Sequence, residues 1–272
     1  EGSPLAKHIG YHSGVHSGPV KEGKTINWYA LNLQRKYGEN YKPQWMQVTL
    51  QRLRSWGFNT IANWSDRDFY RNGKVPYVGT VHIGGDHARV SSGSDYWGKM
   101  HDPFDPRFEQ SVRNSLRPVV QQIGDDPWCI GYFVDNELSW AGTGEDGGRY
   151  GLAYGTLQED AANSPAKRAF LQQLRQKYGQ VENLNAAWGA SFASWEELEK
   201  PQKLQPPSTD ARKQDFAAFV KSLAQQYFRT VRNVLKELAP NHLYLGCRFA
   251  WYGPDAVEAA AEYCDVISFN IY

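Results

Sequence analysis

Trp128-Cys129-Ile130-Gly131-Tyr132-Phe133-Val134-Asp135-Asn136-Glu137-Leu138-Ser139-Trp140 decides how this chain is read. Its first half is an apolar run, Ile130 to Val134, long enough for a buried strand and too short for a helix. The run breaks at once into Asp135, Asn136 and Glu137. Parallel α/β barrels present catalytic side chains in this way, at the C-terminal ends of their strands. A carboxyl beside a carboxamide, with indoles on either side, suits sugar chemistry. The carboxyl of Glu137 can give a proton to a glycosidic oxygen, the amide can hold a hydroxyl, and an indole can stack on a pyranose face. The plainer alternative is a surface turn after a core strand, with Glu137 merely solvated.

Upstream, Asp105-Pro106 predicts a helix start, a cap followed by a first-turn proline. Phe108, Val112, Leu116, Val119 and Ile123 recur along that helix, and Gly124-Asp125-Asp126-Pro127 ends it. Tyr77 to His82 reads as a strand with His82 near its end. That histidine can hydrogen-bond a catalytic carboxylate or be a satisfied core residue. Residues 84 to 105 read as a loop, with Tyr96 and Trp97 as groove candidates. Phe58 to Ala62 reads as a further strand. It ends in Asn63-Trp64-Ser65-Asp66, where Asn63 and Trp64 are site candidates and Asp66 a cap. Helices are expected over Asn27–Tyr37 and Pro43–Trp56, each stopped by a glycine. Residues 1–25 are polar, Gly- and His-rich and without period, so a loop over the active face is expected there, with no metal.

Downstream, Ala141 to Asn163 reads as a long Gly-rich connection whose Glu145, Asp146, Glu159 and Asp160 are solvated loop acids. Ser164-Pro165 opens a helix that Gly179 stops, and Val181 to Trp188 forms a shorter one. Phe216, Phe219, Leu223, Tyr227, Val231, Val234 and Leu238 mark a buried stripe on a helix from about Asp210 to Leu238. Tyr244 to Arg248 reads as a strand running into Phe249-Ala250-Trp251-Tyr252. A helix over Asp255–Tyr263 and a strand over Val266–Tyr272 follow. Strands at about 58, 77, 130, 244 and 266 thus alternate with helices, the pattern of a parallel sheet with crossover helices. No Gly-rich dinucleotide fingerprint or phosphate loop follows a strand. Polar and aromatic residues gather instead at strand C-termini, which favours a (β/α)8 TIM barrel over an open nucleotide-binding sheet.

The chain has 272 residues and a net charge of +1. That suffices for one large core and gives no reason to expect nucleic acid or an acidic membrane surface as partner. It contains no run of 18 apolar residues to span a bilayer. Cys129, Cys247 and Cys264 lack metal-ligand spacing and sit in or beside apolar runs, so buried free thiols are expected. Ten tryptophans fit either a core or a sugar-binding groove.

Asn63-Trp64, His82, Asn136-Glu137, Arg248 and Asn270-Ile271-Tyr272 stand at successive strand ends. With them the chain resembles the large clan of retaining glycoside hydrolases on TIM barrels. Within that clan it is most similar to glycoside hydrolase family 50, the β-agarases. The resemblance is carried by Leu31-Asn32-Leu33-Gln34-Arg35-Lys36-Tyr37-Gly38, by Gly131 to Trp140, and by Tyr263-Cys264-Asp265-Val266-Ile267-Ser268-Phe269-Asn270. The block from Lys177-Tyr178-Gly179 to Asn185-Ala186-Ala187-Trp188-Gly189 also resembles the barrel of family 42 β-galactosidases, and fixes the clan better than the family.

The resemblance implies hydrolysis of β-1,4 galactosidic bonds of agarose or agaro-oligosaccharides, with retention. It makes Glu137 the acid/base and gives Asn136 the sugar 2-hydroxyl. Tyr272 and His82 would orient carboxylates, Arg248 would do the same or hold a hydroxyl, and Trp64, Trp140 and Trp251 would stack on sugars. Burial beside Trp140 and a nearby nucleophile would raise the pKa of Glu137. No metal or cofactor is implied, and a secreted or periplasmic location is expected although no signal peptide is visible. In that clan a second glutamate at the end of strand seven attacks the sugar, and no second acid stands at a credible strand end here; Asp66 and Asp86 read better as loop residues. Residues 1–272 are therefore expected to be a partial barrel with about strands two to six, the nucleophile lying outside this chain. The alternatives are a β-galactosidase-like glycosidase of the same clan and a non-catalytic carbohydrate-binding barrel. A metal-dependent lyase or isomerase is disfavoured, since no strand-end carboxylate pairs are present.

Overall fold

The computed structural model describes residues 6–14, 19–142 and 148–272. Contacts cluster into two compact units, one of Glu1–Ile61 and Ser65–Val75, the other of Ala62–Trp64 and Pro76–Tyr272.

The first unit opens with an antiparallel pair, β1 (Ile9–His12) and β2 (Gly23–Ile26), in register from Ile9↔Ile26 to His12↔Gly23. A loop was expected here. All four residues of β1 are exposed, so the pair buries no face and leaves no alternation for the sequence to show. Helix α1 (Trp28–Tyr37) starts where Asn27 Oδ1 accepts from Ala30 N at 2.9 Å, and ends at Gly38. Helix α2 (Tyr41–Ser55) follows, with the Trp45 ring edge-on to Phe69 at 5.0 Å. The expected strand over Phe58–Ala62 is absent apart from a single bridge at Ile61. Phe58 lies exposed, so the apolar run there is not a buried strand. Asp66 caps as expected, its carboxylate accepting from Asp68 N at 3.0 Å.

In the second unit β3 (Tyr77–Val81) is buried at every position, Thr80 included. The segment after it, expected as loop, contains a short antiparallel pair, β4 (Arg89–Val90) and β5 (Met100–His101). Helix α3 (Phe108–Ile123) leads to β6 (Cys129–Val134), which pairs parallel with β3. The helix opens beyond Asp105-Pro106, because the Asp105 carboxylate holds Arg107 N at 2.9 Å and Ala88 N at 2.8 Å and so closes a turn first. After β6 come α4 (Gly151–Gln158), α5 (Pro165–Tyr178), α6 (Val181–Trp188), α7 (Trp195–Glu199) and α8 (Asp210–Leu238). The chain returns through β7 (Leu243–Tyr244), parallel to β6, and α9 (Pro254–Tyr263). The sheet order is β3-β6-β7, so the strand carrying the Asp-Asn-Glu cluster is central. Gly131 is required there: a Cβ would stand 2.2 Å from Leu243 O.

The expected Tyr244–Arg248 and Val266–Tyr272 strands are shorter than their sequence suggests. Gly246 and Arg248 take φ of 78° and 51°, which lifts the backbone out of the ladder. Pairing resumes as a single parallel bridge, Phe249↔Phe269. The Gly-rich connection after Trp140 hides helix α4. Gly151 and Gly155, one turn apart, lie against Ser92 and Ser91, where a Cβ would approach the carbonyl oxygens to 2.2 and 1.8 Å. The glycines there serve close packing. Glu145 and Asp146 fall outside the described residues.

The long α8 buries Phe216, Phe219, Leu223, Tyr227, Val231 and Val234, the stripe its spacing predicts. Lys167 on α5 is fully buried, and its ammonium donates to the carbonyls of Leu157 (2.9 Å), Glu159 (2.7 Å) and Lys200 (2.5 Å). Cys129, Cys247 and Cys264 are free thiols, as expected, though Cys264 is only half-buried. Among the described residues no helix is long and apolar enough to cross a membrane.

Candidate active site

The end of β6 turns abruptly. Asp135 and Glu137 both adopt left-handed φ, 61° and 52°. Non-glycine residues take that region only where the surroundings over-determine it. Asp135 N donates to Val81 O at 2.7 Å, while Glu137 N donates to the carbonyls of Cys247 and Arg248, each at 3.2 Å. The turn is thereby fastened to the neighbouring segments on both sides.

The Glu137 carboxylate is buried and ringed by donors. Trp97 Nε1 donates to Oε2 at 2.8 Å, and Asn270 Nδ2 and Tyr272 Oη donate to Oε1. Burial pushes this carboxyl up, but the bonds from Tyr272, Asn270 and Trp97, with Arg248 nearby, together outweigh it and hold the pKa below the ordinary glutamate value. A raised value beside Trp140 was expected. Trp140 lies elsewhere: it is 0 % exposed, stacked on Phe228 at 5.2 Å and edge-on to Tyr227 at 5.3 Å. In this structure it is a core residue with no face for a sugar, because the left-handed turn sends the following chain back onto α8.

The other expected site residues gather at this mouth. Asn136 accepts from Asn270 Nδ2 at 3.4 Å. Asn63 accepts from the Thr80 hydroxyl at 2.9 Å. Trp64 is 63 % exposed and stacks on His82 at 5.9 Å, with the Arg248 guanidinium 5.6 Å from its ring. Trp251 leans on Tyr96 at 5.0 Å, and Tyr96 meets Trp97 edge-on at 4.8 Å, an aromatic wall that ends at the Glu137 carboxylate. A cavity of about 460 Å³ beside the turn is lined by Trp64, His82, Trp97, Lys99 and Asn136 among others. Arg248 Nη1, Asn63 Nδ2 and Asn270 Oδ1 are buried without hydrogen-bond partners among the described residues.

His82 departs from expectation. It packs on an indole, and among the described residues no hydrogen bond ties it to a carboxylate. The histidine that meets one is His101, whose Nε2 stands 3.2 Å from Asp135 Oδ2. Asp135 also accepts from Ile83 N and from the Tyr227 hydroxyl, each at 2.7 Å. His101 Nδ1 lies 2.8 Å from Arg89 Nη1 and 2.7 Å from His87 Nε2, and His87 Nδ1 lies 2.9 Å from Ser111 Oγ. Burial, then the neighbouring His101 and Arg89, push the His87 pKa down to about 4. Sequence reasoning missed Arg89, His101 and the role of Trp97. They come from a short hairpin whose strands of two residues leave no periodic trace. Among the described residues no group of three or more His, Cys, Asp or Glu is placed to hold a metal ion.

"Beta-agarase B" of Vibrio sp. (strain JT0107) is 45 % identical over 98 % of this chain and 29 % of its own length. "Beta-agarase A" of the same strain is 42 % identical over 95 % of this chain and 27 % of its own. A solved structure described as an exo-beta-agarase superposes with a TM-score of 0.95 at 39 % identity, covering 100 % of this chain and 38 % of that one. This chain thus spans less than a third of the curated agarases it matches. The family model of glycoside hydrolase 42, described as beta-galactosidase, matches residues 97–272, which include the whole of the Glu137 turn. The chain belongs to that glycoside hydrolase family.

Proposed function

We propose that this chain supplies the acid/base part of a retaining β-agarase, nearest to glycoside hydrolase family 50, that cleaves β-1,4 galactosidic bonds of agarose or agaro-oligosaccharides. The observation that carries the reading is the Glu137 carboxylate, buried at a parallel-strand end among neutral donors and at the foot of an aromatic wall. The agarase relatives, named above, support the substrate. The parallel succession of β3, β6, β7 and the Phe249↔Phe269 bridge supports a (β/α)8 barrel.

Glu137 protonates the leaving oxygen while a second carboxylate attacks the anomeric carbon; it then takes a proton from water to release the sugar. Among the described residues none of the hydrogen-bond partners of Glu137 is a carboxylate, and retention requires one about 5 to 5.5 Å away. We assign that nucleophile to the length of the longer relatives that this chain does not span. Its negative charge would lift the Glu137 pKa, which the donor ring alone holds low. Trp64 and Trp251 offer faces for sugars, Asn136 holds the 2-hydroxyl, and Arg248 Nη1, which has no hydrogen-bond partner among the described residues, is a donor for another hydroxyl. A polysaccharide substrate of this size fits a secreted or periplasmic enzyme.

A β-galactosidase action is the second reading, favoured by the description of the matching family model. Turnover of agaro-oligosaccharides against a simple aryl β-galactoside by the full-length enzyme separates the two. Glu137→Gln is expected to leave oligosaccharide binding and to lower turnover about 10²- to 10⁴-fold. Near-normal turnover removes the assignment of Glu137.

A further inference from the structure

The turn that presents Glu137 is strained at both of its ends, and strain of about 1–3 kcal/mol at each such residue persists only where neighbours hold it. Glu137 itself is held by backbone bonds and by the side chains that ring its carboxylate. Asp135 is equally buried, but among the described residues each side-chain or backbone group that meets its carboxylate ties the turn to a separate element. Ile83 N belongs to the chain leaving β3, Tyr227 to α8 and His101 to β5. Resting on the reading of Glu137 as proton donor, we propose that Asp135, with Tyr227 and His101, is the positioning residue that fixes the left-handed turn and so aims the Glu137 carboxyl at the glycosidic oxygen.

The shorter of the two Arg89 contacts, to Nδ1, places the proton of His101. An arginine only donates, so Arg89 Nη1 makes His101 Nδ1 an acceptor. His87 Nε2 stands 2.7 Å from the same nitrogen, and His87 Nδ1 stands 2.9 Å from Ser111 Oγ, whose hydroxyl donates to Arg107 O at 3.1 Å. The remaining His101 proton sits on Nε2 and points at Asp135 Oδ2. Asp135 therefore receives three donors and offers none. An asparagine cannot reproduce this. With its amide nitrogen on the Oδ2 side it faces the His101 N–H, even if the Tyr227 hydroxyl rotates to accept; turned over, it faces the Ile83 N–H. Either way donor meets donor in a buried site, which is costly.

A residue acting through the proton donor leaves a chemical signature that general loosening of the fold does not. An alcohol leaving group needs protonation, whereas a dinitrophenolate leaves unaided. The test uses the full-length enzyme that contains this chain and compares kcat/KM on an agaro-oligosaccharide with kcat/KM on the dinitrophenyl glycoside of the same sugar. Tyr227→Phe, which deletes one buried hydroxyl, is expected to lose about tenfold on the oligosaccharide, and Asp135→Asn about a hundredfold. On the dinitrophenyl substrate both losses stay below about threefold, and KM for the oligosaccharide changes less than about twofold. Equal losses on the two substrates, or no loss with Tyr227→Phe, overturn the proposal; if Asp135→Asn does not fold, Tyr227→Phe decides alone. Glu137→Gln run alongside separates the two levels. If it keeps oligosaccharide turnover, the proton-donor reading falls and takes this one with it. If it shows the leaving-group signature and Tyr227→Phe does not, the positioning role alone falls.

Discussion

Among the described residues Trp97 is the one donor on Glu137 Oε2, and it sits on the aromatic wall as well. Replacing it by Phe keeps a ring and removes the N–H. The carboxylate then loses a hydrogen bond that favours its ionised form, and its pKa rises. For a group that must be protonated to act, the basic limb of the kcat/KM profile moves to higher pH, by about half a unit to one unit. A profile measured on Trp97→Phe that stays in place or moves down contradicts the role assigned to this bond. The same residue shows why parts of the site could not be read in advance. Glu137 and its neighbour Asn136 announce themselves at a strand end. Trp97 stands 40 positions away, Asn270 and Tyr272 stand 133 and 135 away, and nothing local encodes that they meet on one carboxylate.

Among the elements, α8 was legible because one face is buried from Arg212 to Leu235 and the apolar residues step at 3-4 spacing, with Leu238 at its end only half-buried. The pair β1–β2 was illegible for the opposite reason, with neither face covered. Helix α4 was illegible because glycine argues against a helix, and here close approach to the backbone of Ser91 and Ser92 outweighs that propensity. A testable contrast follows from the two kinds of glycine. Gly155→Ala drives a methyl against Ser91 O and is expected to cost about 3 kcal/mol or more, read as a drop in urea midpoint. Gly179→Ala, at the end of α5 with a φ of 69° and open space around it, is expected to cost only about 1–2 kcal/mol. Equal costs would mean that α4 does not pack as described.

Acid acts on the molecule through groups that oppose one another. The His87 pKa is about 4 in the fold against an ordinary 6.5, so the unfolded chain takes up the proton first, and stability on the order of 3 kcal/mol is lost as pH falls from 6.5 to 4. Asp102 runs the other way. Burial, outweighing its bonds from Ala166 N and Phe104 N, pushes its carboxyl up to about 6. The folded state therefore binds that proton first, and stability is gained as pH falls from 6 to 3.8. Asp105, held far below the usual carboxylate range by its hydrogen bonds from Arg107, keeps its contribution above 3.8 and loses it below. Asp102→Asn removes the compensating group, so its urea midpoint is expected to fall more steeply between pH 6 and 4 than that of the parent; parallel profiles contradict this balance. Lys167 has a different consequence. Its amine is sealed from solvent against three carbonyl groups, and burial lowers its pKa to about 8. Acylating reagents that modify the surface amines within minutes would leave this one untouched until the joint between α4 and α5 opens, so the rate at which it becomes labelled is a clock for that opening.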